Sequence, residues 1–473
     1  MIKDNRRSMA ELKRLRILGR NFVYNPRTVR HVELDPGIWH RVGLMMKKKK
    51  EITGEIEAIP ELAHVLEVPQ EMPGMNDPPG LRNLILQVSH ACNLRCVYCS
   101  ADFGRYGGGF RSMSSRTAER AIDFLFDTSS SKELAITYFG GEPLLNLETV
   151  LSSASYARGR AAKKGRALAL HLVTNGVLLC PKTLFQLDEL GFSLTVSMDG
   201  KKACHDRCRP FPDGRGSHQT ISRALEIAGE LPIGGRITVR GTFTRQNAAF
   251  FPDIRFLVHR GFSRNIAYEP VFLPTSHPLS LRWQDLPGVK QAYVDLARHY
   301  VKQWRRGEPF CFWDFDDAIT RLACSTPRRS RCGAGVSTLA VTAEEELYAC
   351  HMSTGMESAK LGNLQEGLIK NLGKPWQERY LEGRTGCAEC WLRGLCGGGC
   401  NTHALFFNKS LGQPYKLECE LIEHRYRLAL WILSEIPDLR ETITVDSGIG
   451  GADSGHLLSP LWSTRKAAEK IGN

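Results

Sequence analysis

The sequence predicts an α/β protein: a partial (β/α)6 TIM-like barrel with a cysteine-rich C-terminal domain and a small N-terminal module. Three observations carry this. Between about residues 81 and 305, short apolar runs alternate with amphipathic stretches of helical spacing, and repeated β–α units argue a parallel sheet with helices outside. The cysteine and Gly/polar motifs fall at the C-terminal ends of those runs, where barrel active sites lie. Beyond the barrel, cysteines crowd residues 311–419. The strands read as 84–88, 134–139, 169–174, 193–197, 237–244 and 266–269. The helices read as 115–128, 147–164, 182–190, 219–231 and 251–260, with a bridging helix over 286–307 and a closing helix over 420–436. The domains are therefore 1–78, a basic module; 81–305, the barrel; 306–440, the cysteine-rich domain; and 441–473, a Gly/Ser-rich flexible tail.

A chain of 473 residues can bury a sizeable core in two or three domains. No apolar run approaches the 18 residues of a membrane span, and the basic N-terminus has no apolar segment followed by a cleavage site. A cytoplasmic, reducing location is expected. There, 15 cysteines in clusters mean metal or redox chemistry, not disulfides. The net charge is +13, and residues 1–50 hold 14 Lys/Arg against 4 Asp/Glu, including Lys47 to Lys50. That arm is either a solvated basic segment or an electrostatic landing surface for an acidic partner. It has no aromatic interleaving, which argues against nucleic acid. A Pro/Gly-rich link over 73–80 separates it from the barrel.

Cys92, Cys96 and Cys99 form a C-x3-C-x2-C triad directly after the first strand. Closed structural metal sites use four ligands, and a site with a vacancy is usually a working one. Thiolates favour zinc, copper(I) or iron–sulfur clusters. A [4Fe–4S] cluster on three cysteines leaves one iron free for a small molecule. A zinc knuckle is the competing reading.

The triad spacing resembles the radical S-adenosylmethionine (SAM) superfamily, whose free iron chelates SAM and whose cluster reduces it to a 5′-deoxyadenosyl radical. Gly140-Gly141-Glu142-Pro143 resembles the motif whose backbone holds the SAM ammonium, so the resemblance gives Gly140, Gly141 and Glu142 that role. Thr174-Asn175 and Ser197-Met198-Asp199 end the third and fourth strands, and the resemblance sets Thr174, Asn175, Ser197 and Asp199 against the ribose; ordinary turn chemistry is the alternative. Arg240 points a guanidinium into the barrel, where the SAM carboxylate is a suitable partner. Glu269-Pro270-Val271 resembles the segment beside the adenine, with Tyr98 packed nearby. His205-Asp206-x2-Arg209 with Gly214-x-Gly216-Ser217 resembles a loop of peptide-modifying members that closes over substrate.

Cys387-x2-Cys390-x5-Cys396-x3-Cys400-x18-Cys419, preceded by Cys332 and Cys350, resembles the SPASM extension of radical SAM peptide maturases, which carries two auxiliary [4Fe–4S] clusters. The family's ligation implies Cys324, Cys332, Cys350 and Cys400 for the first, with Cys311 an alternative to Cys324, and Cys387, Cys390, Cys396 and Cys419 for the second. A pair of zinc sites is the rival. Cys180, Cys204, Cys208 and Cys311 remain, each most simply a small buried hydrophobe. Glu345 stands where the family pattern has glycine. His351 stands where sulfatase maturases carry an Asp base, which disfavours formylglycine formation.

The run from Asn93 through Gly109, Arg-Gly-Thr-Phe-Thr and Cys-Gly-Gly-Gly-Cys look most like thioether-forming maturases: six-cysteine-peptide maturases and, further off, quinohemoprotein amine dehydrogenase maturases. The resemblance implies three [4Fe–4S] clusters, SAM, a precursor peptide with a leader, and an electron donor such as flavodoxin or ferredoxin. It implies hydrogen abstraction and a Cys-sulfur-to-carbon cross-link, with Glu269, Asp199, Asp206 and His351 as candidate bases. The alternatives are peptide oxidation or C–C cross-linking, a non-peptide substrate, and a non-catalytic electron-transfer protein.

Overall fold

The computed structural model describes residues 12–47, 59–67, 80–325, 327–328, 330–368, 376 and 383–439. The link over 73–79, Lys48 to Lys50 and the tail from 441 lie outside them.

Six parallel strands form the barrel sheet in chain order: β4 Asn83–Ser89, β5 Glu133–Gly140, β6 Ala167–Thr174, β7 Phe192–Ser197, β8 Ile237–Phe243 and β9 Asn265–Pro270. Every residue of β4 is buried, as a strand covered on both faces requires. Helices Ser115–Thr128, Leu147–Lys164, Pro181–Glu189, His218–Gly229 and Phe251–Arg260 make the crossovers. Each apolar stripe faces the sheet. In the first, Ala118, Ala121, Ile122 and Leu125 are fully buried, and Ser114 caps the start by accepting the Thr117 N–H at 3.0 Å, worth about 1 kcal/mol.

The sheet does not close. A short β10, Cys311–Phe312, extends it beyond β9, and on the other side β11 Thr338–Val341 pairs in parallel with β4. Antiparallel β12 Glu346–Tyr348, β13 Lys360–Asn363 and β14 Gly367–Leu368 follow, giving an 11-stranded sheet. The cysteine-rich region is thus stitched to the strand that carries the triad. Helices Leu286–Arg305, Trp313–Ala323 and Lys416–Glu435 pack together behind it, across a buried Arg425–Asp314 ion pair at 2.6 Å.

The N-terminal module is an antiparallel sheet, β1 Lys13–Ile17, β2 Arg20–Asn25 and β3 Arg30–Glu33, with a helix at Pro36–Lys47. One face holds its own small core around Val23, Val42 and Leu62. The other joins the main core through Leu15, Phe22, Tyr24 and Val29, with Tyr24 edge-on to Trp391 at 5.2 Å and Arg20 paired to Glu435 at 2.8 Å. Among the described residues no helix is long and apolar enough to cross a membrane.

Candidate functional site

The triad loop leaves β4 at its C-terminal end and turns back through Asp102, Phe103 and Tyr106, all at positive φ. Backbone amides aim at two sulfurs: Leu94 N–H to Cys92 Sγ at 3.5 Å and Phe103 N–H to Cys99 Sγ at 3.2 Å. Asn175 Nδ2 adds a contact to Cys92 Sγ at 3.7 Å. Burial pushes the Cys92 thiol up to about 11 and Cys96 to about 12, so the sulfurs are costly to ionise unless a metal takes them. Among the described residues no three His, Cys, Asp or Glu side chains could hold a single metal ion. Ligands of a four-iron cluster each bind a different iron and so stand further apart. Three cysteines lining one cavity, two of them with a backbone N–H donor to sulfur, fit such a cluster.

The Gly-Gly-Glu-Pro segment packs directly on this loop. A Cβ on Gly140 would lie 2.3 Å from the Ser89 carbonyl oxygen, and one on Gly141 would lie 2.3 Å from that of Ala91, so only glycine fits either position. Gly141 N–H and Glu142 N–H donate to those same carbonyls at 2.8 Å. The Glu142 carboxylate turns inward, where it accepts Thr174 Oγ1–H at 2.7 Å, Leu144 N–H at 3.0 Å and Asn175 N–H at 2.7 Å. It ties the end of β5 to the end of β6. Burial raises its pKa to about 7 against those bonds.

Thr174, Asn175 and Ser197 line one cavity with the triad, Tyr98, Gly140 and Gly141, and its volume is about 560 Å³. Asp199 does not line it. That carboxylate is fully buried and its oxygens are taken: Oδ1 by Thr242 N–H at 2.9 Å, Oδ2 by Arg209 Nε at 3.0 Å and by the Tyr98 hydroxyl. Arg209 also lies 5.3 Å from the Tyr98 ring centre. This Tyr98–Asp199–Arg209 cluster braces the triad loop against the end of β7. The His-Asp-x2-Arg loop closes on itself around it. His205 accepts Asp199 N–H at 3.2 Å and meets Ser217 Oγ at 3.0 Å, while Asp206 accepts His218 N–H at 2.8 Å. Asp206 therefore also faces away from the cavity.

Arg240 and Glu269, on adjacent β8 and β9, both line the cavity and pair with each other, so the Arg240 guanidinium has a carboxylate partner already. Val271 joins Tyr98 in a small apolar cluster with Cys208, Leu273 and Leu279.

A further part of the lining comes from the C-terminal region: Cys332, Cys350, His351 and Cys400. The three cysteines are electrostatic neighbours. The His351 ring lies 4.4 Å from that of Phe139, tilted by 55°, and its Nδ1 is 3.7 Å from Cys350 Sγ. Cys387, Cys390, Cys396 and Cys419 form a second neighbouring set, away from the cavity. The Cys-Gly-Gly-Gly-Cys run divides the sets because Gly397, Gly398 and Gly399 all take positive φ, turning Cys396 to one side and Cys400 to the other. Cys324 ends helix Trp313–Ala323 and does not line the cavity. Cys311 is buried on β10 beside Asp316, away from either set.

The site also uses residues that the sequence reading left unassigned. Arg209 was visible only as part of a loop motif. Arg331, the Arg425–Asp314 pair and the Glu418–His403 pair at 2.9 Å line the same cavity. Their signal, charged residues beside cysteines, is indistinguishable in sequence from surface charge.

Residues 86–247 match the Radical SAM superfamily. The serine-type anaerobic sulfatase-maturating enzyme of Klebsiella aerogenes is 25% identical over 72% of this chain and 84% of its own length. The mycofactocin maturase MftC of Mycobacterium tuberculosis is 24% identical over 70% of this chain and 81% of its own. Among solved structures, anSMEcpe with bound AdoMet and Kp18Cys peptide superimposes with a TM-score of 0.65 at 20% identity, over 76% of this chain and all of that one. That likeness establishes the fold.

Proposed function

We propose that this chain, which carries a radical SAM domain over residues 86–247 and is an enzyme of that superfamily, matures a ribosomally made peptide by closing Cys-sulfur-to-carbon thioether cross-links. One observation carries the reading. A single cavity is lined both by the triad and by Cys332, Cys350 and Cys400. A peptide in that cavity meets both the radical source and a second thiolate-rich part of the lining. The maturases among the relatives support a peptide substrate.

When bound at Cys92, Cys96 and Cys99, a [4Fe–4S] cluster supplies the electron that cleaves SAM to a 5′-deoxyadenosyl radical. The chain's own residues set the rest. Gly140 and Gly141 offer backbone carbonyls to the SAM ammonium. Thr174, Asn175 and Ser197 present polar side chains to its ribose, and Val271 and Tyr98 pack beside its adenine. Arg240 is the carboxylate acceptor, which requires it to exchange Glu269 for SAM. That exchange takes Arg240 away from Glu269, whose carboxylate then takes a proton from substrate. Of the four candidate bases, Glu269 and His351 reach the cavity, while Asp199 and Asp206 are held in the wall.

We assign Cys332, Cys350 and Cys400, with Cys324, to the first auxiliary cluster and Cys387, Cys390, Cys396 and Cys419 to the second. These would carry off the electron left when the C–S bond closes, to a flavodoxin- or ferredoxin-like partner. The N-terminal sheet is our candidate for leader recognition, by adding the leader as a strand at its edge. The test is co-expression with a short Cys-containing peptide encoded beside the gene, followed by mass spectrometry. The thioether reading expects a loss of two hydrogens per bond and thiols that no longer alkylate. A two-hydrogen loss with every thiol still alkylating would assign oxidation or C–C coupling instead.

A further inference from the structure

A second concavity, of about 910 Å³, lies outside the barrel between helices Phe251–Arg260 and Leu286–Arg305. Lys201, Arg255, Arg264 and Arg306 line it, and none forms a side-chain ion pair among the described residues. Glu308 is the lone carboxylate of the lining. The lining therefore carries a net charge near +3, and of its four cations Lys201 has the Asp253 carboxylate as an electrostatic neighbour. Its floor is apolar, built from Phe256, Val258 and Phe310. His299 lies in the wall between Phe251 and Phe310, at 5.6 and 5.8 Å ring to ring, and its Nε2 is buried without a hydrogen-bond partner.

We propose that this groove binds an acidic, partly apolar segment of the substrate peptide. The proposal rests on the peptide-substrate reading above and adds where a distant part of that peptide is held. The chemistry selects the occupant. Carboxylates pair with the arginines, and apolar side chains cover the Phe256–Phe310 floor. Burial and the nearby Arg255, Lys302 and Arg306 hold the His299 imidazole below its ordinary pKa, so it adds no charge to the groove. A nucleic acid would leave the apolar floor uncovered and set a phosphate against Glu308. The ten-residue helix beside the groove spans about 15 Å, enough for four or five extended residues. The upper end reaches Lys201, whose backbone N–H bonds Asp253 at 3.1 Å. Two residues earlier, Asp199 anchors the wall of the catalytic cavity. A segment leaving the groove there arrives beside that wall.

The experiment is fluorescence anisotropy on the full chain, loaded anaerobically with iron and sulfide. The probe is a fluorescein-labelled peptide of alternating Glu and Leu, with a Gln/Leu peptide as its neutral counterpart. The Glu/Leu peptide should bind and weaken with salt, and the Gln/Leu peptide should not. Joint Arg255→Glu, Arg264→Glu and Arg306→Glu replacement should weaken binding at least tenfold, and Arg264→Glu alone about threefold, the scale of one exposed charge contact. Reversing Lys163 and Arg223, exposed on other barrel helices, should change nothing. Equal affinity in the groove variants, or equal loss in the Lys163/Arg223 control, overturns the proposal. So does an RNA oligonucleotide of matched charge that binds the groove more tightly than the peptide. SAM cleavage is a separate readout and should stay at the wild-type rate in the groove variants. A wild-type chain that binds the peptide but cleaves no SAM would strike the functional reading and leave the groove standing.

Discussion

Glu345 occupies a turn between β11 and β12 at φ +66°, a left-handed conformation that costs a residue with a side chain about 1–2 kcal/mol. Its carboxylate offsets part of that by pairing with Arg120 at 2.6 Å, tying the C-terminal hairpin to helix Ser115–Thr128. In sequence, Glu at a position where the family pattern has glycine looked like a reshaped turn. The turn takes a positive φ of the kind glycine favours, and it carries a side chain. The two terms are of similar size, because an ion pair with Arg120 40% exposed is worth about 0.5–1 kcal/mol. Glu345→Gly should therefore stay within about 1 kcal/mol of wild type. Glu345→Ala keeps the strain and loses the pair, and should be less stable than the Gly variant by about 1 kcal/mol. Urea unfolding of the three chains decides it. An Ala variant as stable as the Gly variant would mean the left-handed turn carries no cost.

At the scale of elements, what the sequence disclosed follows length and pattern. Helices Ser115–Thr128, Leu147–Lys164 and Phe251–Arg260 begin and end where periodicity and caps put them, with Gly165 and Gly261 closing two at positive φ. Strands β11 to β14 were missed because two to four residues carry no readable alternation; their pairing to β4 is a tertiary fact. The sheet β1–β3 was hidden by basic residues alternating with its apolar ones, as in Lys13–Ile17. The loop from helix Lys202–Cys208 to Ser217 was recognisable as a motif, but its work was not. It is a hydrogen-bonded clamp with a neutral histidine at its centre. Because Asp199 N–H donates to His205 Nδ1, the ring proton belongs on Nε2, facing Ser217. Burial holds His205 down to about 4. Asp199 and Asp206 favour its charged form, while Arg209 and His218 oppose it. The unfolded chain protonates this imidazole near 6.5. Between those values the unfolded state binds more protons, so the clamp's stability is present above about 6.5 and is lost as pH falls toward 4. Lowering pH from 7 to 5 should remove roughly 2 kcal/mol at this site. Histidine C2–H exchange read by mass spectrometry checks it directly. The peptide carrying His205 should show its inflection near 4, and an inflection at the ordinary histidine value would mean the clamp is open.

Across the whole molecule, β4 is the shared member. It delivers the triad at its C-terminal end, pairs with β5 of the barrel on one side and accepts β11 of the C-terminal region on the other. That arrangement puts two cysteine-lined walls about one cavity, although more than 200 residues separate Cys99 from Cys332 in the chain. The grouping of the C-terminal cysteines came from the family resemblance, and the positive φ of Gly397 to Gly399 is the turn that separates Cys396 from Cys400. The resemblance could not show that one group shares a cavity with the triad. The separation has a consequence for loss of the triad. Replacing Cys92, Cys96 and Cys99 together by Ala removes side chains from a loop braced by Tyr98, Asp199, Arg209 and the glycine packing, none of which needs the sulfurs. The C-terminal sets draw on different elements and should assemble unaided. The variant should therefore release no 5′-deoxyadenosine with dithionite and SAM, yet retain about eight irons if the C-terminal sets hold the two four-iron clusters proposed above. Iron analysis and chromatography of the nucleoside products test both halves. Continued 5′-deoxyadenosine release would remove the triad from the chemistry, and loss of all iron would mean the two walls fold as one metal-dependent unit.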